Sequence, residues 1–187
     1  MREIRLAVPC RREEARAIRA GDRVLLSGTV YTARDAAHRR LLELLERGEK
    51  PPFELEGAAI YYCGPAPAPP GRVIGAAGPT TSYRMDAYAP RLIERGLAVM
   101  IGKGPRCEAV LEAMRAHGAV YLAAEGGAGA LLASCVEECE LVAWPELGPE
   151  AVRRLTVRDM PLIAAADAEG GNLYLSGPAE YLASGGK

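Results

Sequence analysis

The sequence predicts an α/β fold with a mixed, largely parallel core sheet flanked by helices. Short apolar runs alternate with amphipathic stretches, the order expected when crossover helices join parallel strands. Stretches rich in glycine and proline mark the junctions. No repeat, low-complexity tail or linker divides the 187 residues, which are read as a single domain, 1–187, with a loose C-terminal tail over about 176–187.

In chain order, DRVLLSGTV (22–30) reads as the first strand. TARDAAHRRLLELLERGEK follows as a helix, with Ala33, Ala36, Ala37, Leu41, Leu44 and Leu45 on one stripe. Thr32-Ala-Arg-Asp35 matches the capping-box pattern at its start, and Gly48 suits its exit. GAAIYYC (57–63) is the next strand and leads into GPAPAPPGRVIGAAGP, a loop too rich in Pro and Gly to be regular. From Arg84 a helix is expected to carry Met85, Tyr88, Ala89, Leu92 and Ile93 on one face until Gly96. LAVMIG reads as a strand and PRCEAVLEAMRAHG as a helix with Pro105 in its first turn. AVYLAA (strand), GAGALLASCVEE (helix) and CELVAW (strand) continue the alternation. LTVRDMPLIAAADAEGGNLYL reads as two strands around a Gly-Gly turn, ahead of a loose SGGK end.

Composition excludes some functions. A net charge of −1 argues against nucleic-acid binding by bulk electrostatics. No apolar run reaches the roughly 18–20 residues that span a bilayer. The first residues lack an apolar segment of signal-peptide length, so the expectation is a cytoplasmic protein with no membrane partner. Five cysteines without a C-x-x-C suggest free thiols. Cys135 and Cys139 lie four apart, where a helix places them on one face. Two thiols are too few for a zinc or iron–sulfur site, so no metal is assigned to this chain.

Three strand-to-helix junctions share an oddity. Arg34, Arg84 and Lys103 each fall at or beside an expected helix N-terminus, where the helix dipole disfavours a cation by about 0.3–1 kcal/mol. In open α/β sheets such junctions gather beyond the carboxyl ends of the strands, where ligands bind. The pattern points to an anion pocket built from cations, helix N-termini and backbone N–H groups. Two carboxylates on one small molecule would use all three cations. Thr80 and Thr81 also suit N-cap positions, and one of them is expected to serve as one. Asp35 is read as structural, closing the capping box. His38 faces the same side as Arg34 and is read as a solvated helix histidine, with reach to the site as the other reading. His117 precedes Gly118 at a helix C-terminus and takes no chemical role. Residues 125–129 (EGGAG) are either a fourth loop over the pocket or glycine for close packing. No G-x-G-x-x-G or P-loop occurs.

The strings LLSGTVYTARDAAHRRL, YYCGPAPAPPGRVIGAAGPTTSYRMDAY, MIGKG, GAVYLAAEGGAGALLA, ELGPEAVRRLTVRDMPLIAAAD and GNLY resemble the iron–sulfur hydro-lyases. They are similar to the β-type subunit of class I fumarase and L-tartrate dehydratase, from about residue 4 to 175. That resemblance implies a swivelling β/β/α domain working with a separate α subunit, or a fused N-terminal domain. The partner is implied to hold a [4Fe–4S] cluster through three cysteines of its own, in an α2β2 heterotetramer. It implies reversible hydration of fumarate, with Arg34, Arg84 and Lys103 on the substrate carboxylates and Thr80 as catalytic base; Thr81 is counted with the substrate-binding residues. Cys63 matches no position with a family role. The alternatives are tartrate dehydration, a stand-alone Rossmann-like nucleotide binder, and a non-catalytic module for an anionic metabolite.

Overall fold

The structure is a computed structural model that describes residues 1–185. Its elements are β1 (Glu3–Val8), α1 (Arg12–Arg16), β2 (Arg23–Thr32), α2 (Asp35–Glu46) and β3 (Ala59–Tyr61). A 3-10 turn (Ser82–Met85), α3 (Ala89–Glu94), β4 (Val99–Gly102), α4 (Glu108–His117), β5 (Val120–Ala123) and α5 (Gly129–Ser134) follow. The chain ends with β6 (Val136–Ala143), a second 3-10 turn (Pro145–Glu150), β7 (Val152–Ala166) and α6 (Leu173–Ala183).

Seven strands form one sheet in the order β1-β2-β3-β4-β5-β7-β6. The first five pair in parallel, and β7 runs antiparallel to its neighbours. The fold class is therefore the mixed α/β arrangement expected. β7 also pairs with β2 over Arg23↔Ile163 to Tyr31↔Arg154, so the pairings β2–β3–β4–β5–β7–β2 close into a circuit. Successive side chains on a strand point to opposite faces. Tyr61, Val99 and Ile101 thus enter one buried cluster with Leu26, Leu122 and Leu155. Ile60, Tyr62 and Met100 enter a second, which α2, α3 and α4 complete through Leu41, Leu92, Ile93, Val110 and Met114. Strands covered on both faces read as unbroken apolar runs, which is why β3, β4 and β5 are visible in the sequence.

Several elements differ from the sequence reading. β1 and α1 precede the first strand expected. The helix expected from Arg84 is split: a 3-10 turn, then α3 with Pro90 in its first turn. Pro90 has no N–H to donate backward, so an α-helix cannot run through it from Arg84. α4 starts at Glu108 with Cys107 as its N-cap, leaving Pro105 outside the helix. α5 stops at Ser134, which puts Cys135 at its C-cap and Cys139 on β6 rather than together on a helix face. Of the two strands expected around the Gly-Gly turn, the first is the 15-residue β7, while NLYL after the turn is the start of α6 rather than a strand. The loose tail is α6 up to Ala183; residues 186–187 of that expectation lie outside the described residues. Asn172 caps α6 by accepting the Tyr174 N–H at 3.0 Å, a signal present in the sequence as GNLY. Among the described residues no helix is long and apolar enough to cross a membrane.

Candidate active site

The site is assembled at the carboxyl ends of β2, β3 and β4. Arg34 follows β2 and is the N-cap of α2, with extended backbone angles and no capping bond from its side chain. The capping box does not form. Thr32 is buried at the end of β2, where its Oγ1 donates to the Ala151 carbonyl at 3.2 Å and accepts from the Arg153 N–H at 3.0 Å. The acid that serves the start of α2 is Glu150, whose carboxylate accepts the Ala36 N–H at 3.2 Å and pairs with Arg34 at 3.2 Å. Asp35 instead pairs with Arg84. Asp35 thus ties Arg84 to the start of α2, next in sequence to Arg34.

Thr80, Thr81 and Lys103 are brought together by backbone pairing. The Thr80 N–H donates to the Tyr62 carbonyl at 2.7 Å, and Thr81 forms a parallel bridge with Lys103. The Ser82 N–H then donates to the Lys103 carbonyl at 2.8 Å. Neither threonine makes a side-chain capping bond; Thr81 stands at the N-cap of the 3-10 turn only by its backbone. The approach is close enough to require glycine at 102, since a Cβ there would stand 2.0 Å from Ser82 Oγ. Lys103 is exposed, and among the described residues no carboxylate pairs with it. Its Nζ lies 3.8 Å from where a Cβ on Gly126 would be, so the EGGAG loop does reach Lys103. The segments carrying three cations and two hydroxyl side chains are thus linked at this end of the sheet, here called the shelf.

Beneath the shelf is a polar layer that the sequence reading missed. Arg106 is buried: its Nε donates to Asp86 at 2.6 Å and its Nη1 to the Tyr62 hydroxyl at 3.3 Å. Its guanidinium stands 5.3 Å from the Tyr62 ring centre and 5.0 Å from that of Tyr121, within cation–π range. The Tyr121 hydroxyl donates to the Gly104 carbonyl and takes a hydrogen bond from Ser82 Oγ, both at 2.8 Å. Asp86 also accepts the Cys107 N–H at 2.7 Å. This layer fastens the segment carrying Thr80 to Arg84 onto the segment carrying Lys103. A lone Arg after a Pro gives no periodic signal, so Arg106 was legible only as a helix-start residue.

His38 is not solvated. It is buried, its Nδ1 donates to the Arg34 carbonyl at 3.0 Å, and its ring stands edge-on to Tyr62 at 5.2 Å. A carbonyl only accepts, which fixes the proton on Nδ1. Burial pushes the imidazole down to about 4, so it is neutral at neutral pH. A base whose pKa falls on folding contributes stability that is complete above its unfolded value of about 6.5. That contribution is lost as pH falls from about 6.5 toward 4, and amounts to about 3 kcal/mol. Urea melts of wild type and His38→Asn between those pH values are expected to show a shallower pH dependence in the variant.

All five cysteines are free thiols. Cys10 and Cys63 are buried, Cys107 is exposed, and burial raises the Cys63 thiol far above its ordinary range. Among the described residues no group of three or more His, Cys, Asp or Glu is placed to hold a metal ion.

Residues 1–177 match the family described as the Fumarase C-terminus. The chain is 39% identical over 156 residues to "Fumarate hydratase 2" of Leishmania major, covering 82% of this chain and 28% of that protein. It is 39% identical over 154 residues to "Fumarate hydratase class I, aerobic" of Escherichia coli K12, covering 81% and 28%. It is also 39% identical over 169 residues to "Putative L(+)-tartrate dehydratase subunit beta" of Methanocaldococcus jannaschii, covering 87% of both chains. The match thus spans little more than a quarter of these fumarate hydratases, but nearly all of the tartrate dehydratase subunit.

Proposed function

We propose, on the premise that this chain belongs to the fumarase C-terminal family of hydro-lyases, that it is the β subunit of a [4Fe–4S]-dependent enzyme hydrating fumarate reversibly to malate. In this reading it is active only with an α subunit, in an α2β2 cytoplasmic assembly. The observation that carries it is the grouping of Arg34, Arg84 and Lys103 with Thr80 and Thr81 at one end of the parallel strands. A small dicarboxylate offers two anions to such a shelf. The match to nearly the whole of a protein named as a subunit supports a separate partner chain.

The cysteines of this chain do not fit a cluster, so the proposal assigns the cluster to the partner. What this chain supplies is charge and a hydroxyl. Arg34, Arg84 and Lys103 bind the substrate carboxylates, with Thr81 beside them. The proton lost from malate is adjacent to a carboxylate, and its departure loads a second charge onto that group. Fixed cations aimed at that group stabilise the charge as it forms, the kind of term that is usually largest in catalysis. Thr80 moves the proton; an alcohol is a weak base, and the Lys103 segment paired beside it supplies the nearby cation that the role needs.

Tartrate is the second reading, favoured by the end-to-end match to the tartrate dehydratase subunit. Both readings are tested by anaerobic co-purification of the chain from its native cells, scoring iron, fumarate turnover and L-tartrate turnover. The expected result is an iron-bearing partner with hydro-lyase activity, the favoured substrate deciding between the two. A chain that co-purifies with no partner and no iron, and turns over neither substrate, overturns the proposal and leaves a stand-alone binding module.

A further inference from the structure

Both arginines of the shelf are already held by carboxylates of the same chain. Arg34 pairs with Glu150, the side chains 23% and 25% exposed, and Arg84 pairs with Asp35. Lys103 alone of the three cations has no such partner among the described residues. Glu150 is not a loose surface acid. Its carboxylate caps α2 through the Ala36 N–H, and the backbone just after it is fastened to buried Thr32 from both sides. Arg34 is equally confined: a Cβ on Gly64 would stand 3.0 Å from both its Nη1 and the Pro149 carbonyl. Its Nε is buried without a partner among the described residues.

We propose that Glu150 is a specificity-determining positioning residue, an internal counter-ion that holds Arg34 in the empty site and is displaced from it by a substrate carboxylate. The inference rests on the function proposed above and names what sets the choice of a diacid over a monoacid. Three cations facing two acids leave one net positive charge, that of Lys103. One carboxylate satisfies Lys103 without displacing anything. A second carboxylate has to compete with Glu150 for Arg34, and it does so with advantage only when tethered to the first at the right spacing. Glu150 therefore raises the cost of binding any single anion at Arg34, and selects for a molecule carrying two.

The test is titration of succinate, a non-reacting four-carbon diacid, into the full 187-residue chain, followed by NMR, for wild type and Glu150→Gln. Glutamine keeps an oxygen for the Ala36 N–H and removes the charge that competes. Succinate is expected to bind the variant about three- to fivefold more tightly, the size of a partly exposed ion pair. Glu150→Asp retains the charge and is expected to bind no more tightly than wild type. If wild type binds succinate and Glu150→Gln binds it equally or more weakly, Glu150 is only a helix cap and the inference is overturned while the proposed function stands. If neither wild type nor Glu150→Gln binds succinate, the anion-shelf reading itself fails and takes the inference with it.

Discussion

Arg84→Ala, assayed in the complex with its partner, is expected to lower kcat/KM for the favoured dicarboxylate by about two to three orders of magnitude, the effect of removing one charged partner of a bound anion. The fold is expected to survive. The Arg84 side chain is 38% exposed and fills no core, and Asp35, its partner, is 28% exposed and reaches solvent once freed. Far-ultraviolet circular dichroism and the melting temperature should therefore match wild type while turnover collapses. Turnover unchanged in this variant would sink the assignment of Arg84 to the substrate. The same comparison separates the shelf from its support, because the second large effect has the opposite signature.

Arg106→Met is expected to destabilise the chain by about 3–5 kcal/mol, the cost of leaving one member of a buried ion pair alone. The Arg106 side chain is fully buried, and Asp86, 10% exposed, would keep its charge with only the Cys107 N–H to answer it. The double variant Arg106→Met, Asp86→Asn removes the stranded charge and is expected to recover a substantial part of the loss. A single variant melting like wild type in urea would show that the layer under the shelf is not structural. Arg106 makes no contact with the exposed face, so any activity it costs arrives through the displaced Thr80 and Lys103 segments.

The alternation of strands and helices was legible because β3, β4 and β5 are apolar on both faces and α2 and α4 each carry an apolar stripe. β1 was not, since Glu3, Ile4, Arg5 and Leu6 alternate at an edge and look like surface chain. The start of α2 was placed two residues early, on a capping box that does not form: Thr32 ends β2 and Arg34 is the N-cap. Thr32 and Asp35 stand at capping-box spacing, yet Thr32 is spent on Ala151 and Arg153, and the capping acid comes from Glu150, 114 residues beyond Ala36. Local spacing cannot reveal a partner that the sheet delivers. His38 failed similarly: its i−4 carbonyl bond to Arg34 is a helix-geometry consequence, but its burial depends on Tyr62 and the layer behind it. Of the three cations, only Arg34 stands where it was expected, against the dipole at the start of α2, and such local contradictions gather at sites. Arg84 lies within the 3-10 turn and Lys103 lies ahead of the Cys107 N-cap of α4, so the helix-start argument picked them out on helix boundaries that the structure moves.

The circuit of strand pairings sets the order in which this chain can become a protein on the ribosome. β7 supplies the partner for β2, β5 and β6, and it emerges after all three. Until it does, β2 and β5 each present a row of unpaired backbone groups, the template on which nascent chains join one another. Ring closure waits for a contact across some 130 residues, a separation that slows folding. A nascent chain released before Val152 would carry Arg34, Arg84 and Lys103 in full, yet with two open edges and no means of closing them.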